Sequence, residues 1–223
     1  MSEPLRLVLF DVDGTLVDSH GGIVAAMTSS FEAQLLPVPD RNAILSTVGL
    51  SLPNAVARLS PEQSEKSQQN LVDGYKEAYF DQRKALGAAS SPLYDGALET
   101  LQSLNDTPEL LLGVATGKSK RGLDALIEAH GLEGYFVTRQ VADHHPSKPH
   151  PSMIDTARAE TGVDATSTVM IGDTSYDMEM AKAAGVTGVG VTWGYHHRSA
   201  LRDATCVIET FCQLPDVLAC IWD

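Results

Sequence analysis

Leu9-Phe10-Asp11-Val12-Asp13-Gly14-Thr15-Leu16-Val17-Asp18 decides the reading of this chain. The apolar run from Leu5 to Phe10 stops at two aspartates two residues apart, followed by Gly14 and Thr15. That pattern predicts a buried strand delivering carboxylates to its carboxyl end, where open parallel sheets place their sites. If the strand register continues, Asp11 and Asp13 share a face, and two converging carboxylates require a cation or a shared proton. An Asp-Gly turn between two strands is the plainer alternative. A calcium loop does not fit, because it wants Gly at its sixth position and Glu at its twelfth, where this chain has Leu16 and Gly22.

With 223 residues the chain is long enough for one large domain, or a domain with an insertion, held by its own core. Its three cysteines, Cys206, Cys212 and Cys220, are odd in number and lack C-x-x-C spacing, which reads as thiols in a reducing compartment. Residues 1–6 include Glu3 and Pro4 and show no leader pattern, and no apolar stretch approaches membrane-spanning length, so a cytoplasmic protein is expected. A net charge of −13 argues against a nucleic acid polymer as partner. Residues 17–87 carry six Lys/Arg against eight Asp/Glu, so nearly all of that charge lies in the flanking part.

After Asp18 the periodicity turns helical. Ile23, Val24, Met27, Phe31 and Leu35 recur at three- and four-residue steps up to Pro37-Val38-Pro39, and shorter runs follow at 41–47 and 54–59. Ser60-Pro61-Glu62-Gln63 reads as a capped helix start, with a long helix running past Gly74 to a stop at Gly87. From about Ser90 strands and helices alternate: strands at 110–115, 135–137, 169–172 and 187–191, helices at 119–130, 152–160 and 176–184. Such alternation predicts an α/β fold, a doubly wound, Rossmann-like parallel sheet core of residues 1–16 and 88–223, with an α-helical cap of residues 17–87 inserted after the first strand.

Three further strands end in polar residues. Thr116-Gly117 ahead of a helix offers a hydroxyl and backbone N–H groups to an anion, or is an ordinary helix-entry turn. Lys148, between Pro146 and Pro149-His150-Pro151, is either a directed cation or a solvated one. Gly172-Asp173-Thr174-Ser175-Tyr176-Asp177 repeats the strand-end acid and adds a second four residues on, which would also complement a helix dipole.

Taken in order, DVDGT at 11–15, ATGKS at 115–119, SKPHP at 147–151 and GDTSYD at 172–177 resemble the four motifs of the haloacid dehalogenase-like hydrolases, closest to phosphoglycolate phosphatase-like members. The resemblance implies a Mg²⁺-dependent phosphatase acting on a small phosphorylated metabolite, a monoester or an anhydride, as a monomer or homodimer with no membrane partner. Asp11 would be the nucleophile that forms an aspartyl-phosphate, and Asp13 the acid that protonates the leaving oxygen and later activates water. The metal set would be Asp11, Asp173 and the backbone carbonyl of Asp13, with Asp177 orienting the metal shell or Lys148. Thr116, Gly117 and Lys148 would bind phosphate and offset its charge.

Relatives that cleave carbon–halogen or carbon–phosphorus bonds resemble this pattern but generally lack an acid at the position of Asp13, so the resemblance implies phosphate esters or anhydrides. A sugar-phosphate mutase of the same superfamily, or a non-catalytic binding protein on the same fold, are the alternatives. Gly49 and Leu50, in the uncharged loop 48–53, are the candidates for a cap tip that selects substrate, with Arg41, Arg58 and Arg83 as other sources of charge or plain surface residues. His144-His145 and His196-His197 lack zinc spacing and read as structural or surface histidines. Trp193-Gly194-Tyr195 either lines the mouth of the core or packs its edge.

Overall fold

The structure, a computed structural model, describes residues 4–223. Residues 1–3, the start of the expected core segment and half of the leader reading, lie outside the described residues. Strand β1 (Arg6–Phe10) leads into four helices, α1 (His20–Ala33), α2 (Arg41–Leu45), α3 (Leu52–Leu59) and α4 (Glu65–Leu86). Then follow α5 (Ala97–Asn105), β2 (Leu110–Thr116), α6 (Lys120–His130), β3 (Phe136–Val141), α7 (Ser152–Thr161), β4 (Thr168–Gly172), α8 (Ser175–Ala183), β5 (Thr187–Val191), β6 (Cys206–Ile208) and α9 (Leu214–Trp222).

The strands form one all-parallel sheet in the order β3-β2-β1-β4-β5-β6. The chain winds outward in both directions from β1, so the gap between β1 and β4 is the topological switch point, where loops on the two sides diverge and leave a crevice. Alternate residues of β1 serve opposite layers. Val8 and Phe10 pack with Leu101, Leu123, Ile127 and Leu214 of α5, α6 and α9, while Leu7 and Leu9 pack with Met153, Ile154 and Met180 of α7 and α8. Helices α1 to α4 enclose a separate apolar cluster that includes Met27, Phe31, Ile44, Val56 and Leu71. The chain segments linking them to the sheet pair with each other: Asp18 N–H donates to the Pro92 carbonyl (2.8 Å) and Tyr94 N–H to the Leu16 carbonyl (3.0 Å). Among the described residues no helix is long and apolar enough to cross a membrane.

Several local expectations need correction. Ser60 does not start the long helix: its hydroxyl donates to the Val56 carbonyl and ends α3, and Ser64 caps α4 by accepting from Ser67 N–H. Helix α4 passes Gly74 unbroken, since Leu71 and Val72 bury its inner face, and does stop at Gly87. Strand β3 extends to Val141, with an alternating buried and exposed pattern proper to a sheet edge. Helices α5 and α9 and the three-residue β6 are additions to the expected elements.

Candidate active site

At the carboxyl end of β1 the strand stops at Phe10, and Asp11 N–H still reaches the Ile171 carbonyl on β4 (2.9 Å). The Val12 carbonyl then accepts from the N–H groups of Thr15 (3.2 Å), Leu16 (2.9 Å) and Val17 (3.0 Å), which winds the next residues into a tight turn. The turn needs Gly14: its φ is +89°, and a Cβ there would lie 2.3 Å from Asp173 Oδ2. Asp11 and Asp13 are therefore not two residues of one strand face, as register alone predicts. They face different cations.

Asp11, buried, lies beside Lys148, whose Nζ is 3.0 Å from Asp11 Oδ1 and 2.6 Å from Asp177 Oδ1. The other oxygen of Asp177 accepts from Thr174 N–H (3.0 Å) and Thr174 Oγ1 (2.7 Å), so both its oxygens are committed to protein donors. Thr174 in turn caps α8 through Asp177 N–H, a reciprocal arrangement that fixes the acid at the helix start. Asp173 ends β4 with Thr15 Oγ1 donating to Oδ1 (2.9 Å) and Tyr195 N–H to Oδ2 (2.8 Å). Trp193 Nε1 donates to the Thr15 carbonyl (3.0 Å), and its ring packs on Phe211, so the Trp193–Tyr195 stretch both braces the site and fills the core edge.

Burial sets the electrostatics. It pushes Asp11 up to about 6, with Lys148 opposing the rise and Asp177 adding to it. Asp173 stands well above the ordinary carboxyl range, by burial first and then by the charges of Asp177 and Asp11. Burial pulls the Lys148 ammonium down, but the two carboxylates outweigh it and hold its pKa above the usual value. Three buried acids facing one buried lysine leave an excess of negative charge that a cation would relieve.

The donor atoms fit such a cation. Asp11, Asp173 and Asp177 each place a carboxylate oxygen within 4.8 Å of the others. Neither oxygen of Asp11 accepts an aligned hydrogen bond despite full burial. Carboxylate oxygens suit a hard divalent ion. Asp177 thus stands in the acidic cluster itself rather than behind it, while the Asp13 side chain is turned away from it.

Asp13 faces the α1–α4 layer. Lys118 Nζ is 2.8 Å from both of its oxygens, and Ser19 Oγ donates to Oδ1 (2.6 Å). Lys118 also donates to Tyr79 Oη of α4 (3.3 Å), and the Tyr195 hydroxyl accepts from Ser19 N–H (3.0 Å). Lys118 lies within ATGKS, the motif in which only Thr116 and Gly117 carry an expected role. Its signal was a cation placed just ahead of a helix N-terminus, where the dipole disfavours positive charge.

Thr116 is buried at the end of β2 and accepts from Lys118 N–H (3.2 Å). Gly117 lies under the tip loop of the helical layer: a Cβ there would sit 2.6 Å from the carbonyl oxygens of both Gly49 and Leu50. Ser51 N–H donates to Ser147 Oγ (2.8 Å), beside Lys148. Tyr176 donates to the Ser46 carbonyl (3.0 Å) and accepts from Arg58 (2.8 Å). His196 Nδ1 accepts from Ser175 N–H (3.1 Å), leaving Nε2 to donate to the Ser46 carbonyl (3.3 Å). Arg58 and His196 therefore help tie the helical segments on either side of the tip loop to the start of α8. Arg83 stacks on Phe80 and Arg41 is exposed, so neither enters the site. His144 is exposed, His145 bonds Ser152 and Gln140, and His197 caps the turn at 198–200.

Comparison with known proteins adds an independent line. A family model described as haloacid dehalogenase-like hydrolase matches residues 8–191. The chain is 38% identical over 212 residues to "Probable phosphatase IndB" of Dickeya dadantii, covering 93% of this chain and 91% of that one. It is 27% identical to a phosphoglycolate phosphatase of Vibrio parahaemolyticus, with 97% of each chain covered. A crystal structure described as a predicted phosphatase from Clostridium acetobutylicum superposes with a TM-score of 0.84 at 27% identity, covering 97% of this chain and 99% of that one.

Proposed function

Since this chain belongs to the haloacid dehalogenase-like hydrolases and is a phosphatase, we propose that it is a Mg²⁺-dependent enzyme that hydrolyses a small phosphate monoester or anhydride through a phosphorylated Asp11. The observation that carries this reading is the Asp11 carboxylate, buried at the switch point beside Lys148 and Asp173 with no aligned hydrogen bond to either oxygen. A buried carboxylate left this way is costly unless it serves a ligand or a reaction.

In the first half-reaction an Asp11 oxygen forms a bond to phosphorus while the bond from phosphorus to the leaving oxygen breaks. Asp13 gives its proton to that oxygen, and the alcohol departs. In the second, a water forms the new bond to phosphorus, its proton passes to Asp13, and the bond to Asp11 breaks to release inorganic phosphate. Thr116 Oγ1 and Gly117 N–H bind phosphoryl oxygens, and Lys148 balances charge on Asp11 and on the transferring group. Asp177 aims Lys148. Held by Asp11, Asp173 and the Asp13 carbonyl, Mg²⁺ would supply positive charge that lets a phosphate dianion approach three acids.

Residues 17–87 are proposed as a cap that closes over this chemistry and keeps bulk water out until the leaving group departs. Support comes from their own apolar cluster and from the paired linkers at Leu16–Asp18 and Pro92–Tyr94, which confine the covalent crossings to one place. Gly49 and Leu50, resting on Gly117, are its tip. The Thr15 hydroxyl, bound to Asp173, supports the phosphatase reading over a mutase, whose members usually carry a branched apolar residue there. The testing experiment is a panel of phosphomonoesters, nucleotides and pyrophosphate assayed for phosphate release with Mg²⁺, with chelator, and with Asp11→Asn. Release that survives both chelator and the substitution overturns the proposal.

A further inference from the structure

Tyr195, in the stretch that follows β5, touches three parts of the molecule at once. Its backbone N–H donates to Asp173 Oδ2 (2.8 Å), beside the acidic cluster. Its ring packs on the apolar cluster of α1 to α4, and among the described residues of that cluster it is the one from outside 17–87. Its hydroxyl lies 3.0 Å from Ser19 N and 3.1 Å from Ser19 Oγ, and Ser19 Oγ in turn donates to Asp13 Oδ1 (2.6 Å). The segment that carries Tyr195 is held firmly. A Cβ at Gly194 would lie 2.1 Å from Asp173 Cβ, so the backbone runs directly against that residue, and Trp193 Nε1 donates to the Thr15 carbonyl (3.0 Å).

Proton counting gives these hydrogen bonds a direction. An ionised Asp13 only accepts, so the Ser19 hydroxyl gives its one proton to Oδ1, and the Tyr195 hydroxyl, which accepts from Ser19 N–H, gives its own to Ser19 Oγ. The donors run from Tyr195 through Ser19 to Asp13. Lys118 Nζ reaches both oxygens of Asp13 at 2.8 Å, so Oδ1 accepts from two groups and Oδ2 from one. A protonated Asp13 therefore carries its proton on Oδ2, the less committed oxygen. Ser19, fully buried, is the residue before α1, where a serine hydroxyl ordinarily caps the helix, yet its side chain makes no cap. That hydroxyl is given to Asp13 instead. A serine hydroxyl alone rotates freely, but the Tyr195 oxygen engages both the N–H and the Oγ of Ser19 and fixes it.

We propose that Tyr195 is a positioning residue for proton transfer: acting through Ser19, it holds Asp13 with Oδ2 free to meet the leaving oxygen, and it does so when the helical layer is seated against its ring. This rests on the phosphatase reading above and adds to it a residue that acts on the chemistry through another. In the step concerned, the bond from Asp11 to phosphorus forms, the bond from phosphorus to the leaving oxygen breaks, and the proton on Asp13 passes to that oxygen.

The test uses the leaving group. The phenolate of p-nitrophenyl phosphate departs without a proton, whereas phenyl and ethyl phosphate need one, so a misplaced Asp13 penalises the second kind more. The quantity to compare is kcat/KM with Mg²⁺, which covers the steps through loss of the leaving group and omits the hydrolysis of the aspartyl-phosphate that every ester shares. Tyr195→Phe removes the hydroxyl and keeps the ring and the backbone N–H. It should raise the ratio of kcat/KM for p-nitrophenyl phosphate to that for phenyl phosphate by about tenfold or more, with a larger rise against ethyl phosphate. Ser19→Ala should raise the ratio likewise, and adding Tyr195→Phe to it should change the ratio by less than about threefold, since the two act in one chain. Because Asp173 keeps its N–H donor, the rise in melting temperature that Mg²⁺ gives Tyr195→Phe should match that of the wild type. Equal losses on all three esters, effects of the two substitutions that multiply, or a lost response to Mg²⁺ would each overturn the inference and leave the phosphatase reading standing. Absence of phosphate release by the wild type from every ester removes that reading, and the inference with it.

Discussion

The ammonium of Lys148 lies closer to Asp177, at 2.6 Å, than to Asp11, at 3.0 Å. Asp177 is itself held by Thr174 at the first turn of α8, so the lysine is anchored to a helix and leans on the nucleophile. This explains how one buried cation can steady Asp11 without capturing it in an aligned hydrogen bond.

Replacing that cation exposes the arrangement. Lys148→Met leaves Asp11 and Asp177 buried and uncompensated, which should cost about 3–5 kcal/mol of stability in metal-free protein. Phosphate release should fall by about 10²–10³-fold or more. Thermal melts in chelator and a steady-state assay with Mg²⁺ read the two effects separately. Wild-type turnover in the variant would show that Lys148 is structural only.

Gly117→Ala probes the contact between the tip loop and the sheet. The added Cβ would meet the Gly49 and Leu50 carbonyl oxygens at 2.6 Å, and both are backbone atoms that yield only if the loop lifts. The variant should keep its fold, with a loss of about 1–3 kcal/mol, and lose about tenfold or more in kcat/KM. Unchanged kinetics would mean that the seated tip is not needed for turnover.

The pH dependence of the metal-free protein has a definite sign. Burial raises Asp11 to about 6 and Asp173 well above the ordinary carboxyl range, so the folded state holds these protons more tightly than the unfolded chain. Their protonated forms are accommodated at low pH. Stability is lost as pH climbs from the ordinary carboxyl value through about 6 and beyond. Mg²⁺ binds the ionised cluster, so the gain in melting temperature on adding it should be larger at about pH 8 than at about pH 5. A gain that shrinks as pH rises would contradict the proposed metal site.

Tyr176→Phe removes a hydroxyl that accepts from Arg58 and donates to the Ser46 carbonyl. Two hydrogen bonds to the segments flanking the tip loop disappear while the ring stays. The expected effect is a loss of about 1–3 kcal/mol and a higher KM with little change in kcat, because the chemistry at Asp11 is untouched. A collapse of kcat instead would place Tyr176 in the chemical step.

The parts of the site readable in sequence are those where a regular strand ends in chemistry. Asp11, Thr116 and Asp173 were visible because the apolar runs before them fix where β1, β2 and β4 stop. Lys118 was not, since its meaning depends on α4 laying Tyr79 across the end of β2, a contact between residues 39 positions apart. The shared face expected of Asp11 and Asp13 failed for a local reason: Gly14 lets the backbone curl around the Val12 carbonyl before strand register can reach Asp13. Ser60-Pro61 imitated a helix start because its composition matches a cap, yet its hydroxyl was already engaged in ending α3. Strand β6 is three residues long, too short for alternation to register, and exists because Val189 to Val191 offer it an edge.

The central claim is that phosphate passes through Asp11. Rapid quenching of the Mg²⁺-loaded enzyme with a turnover substrate, followed by peptide mapping, tests it most directly. The account predicts a phosphoryl group on the peptide containing Asp11, lost in Asp11→Asn along with phosphate release. A variant that hydrolyses the substrate at the wild-type rate, or a phosphoryl group trapped on another residue, would contradict it.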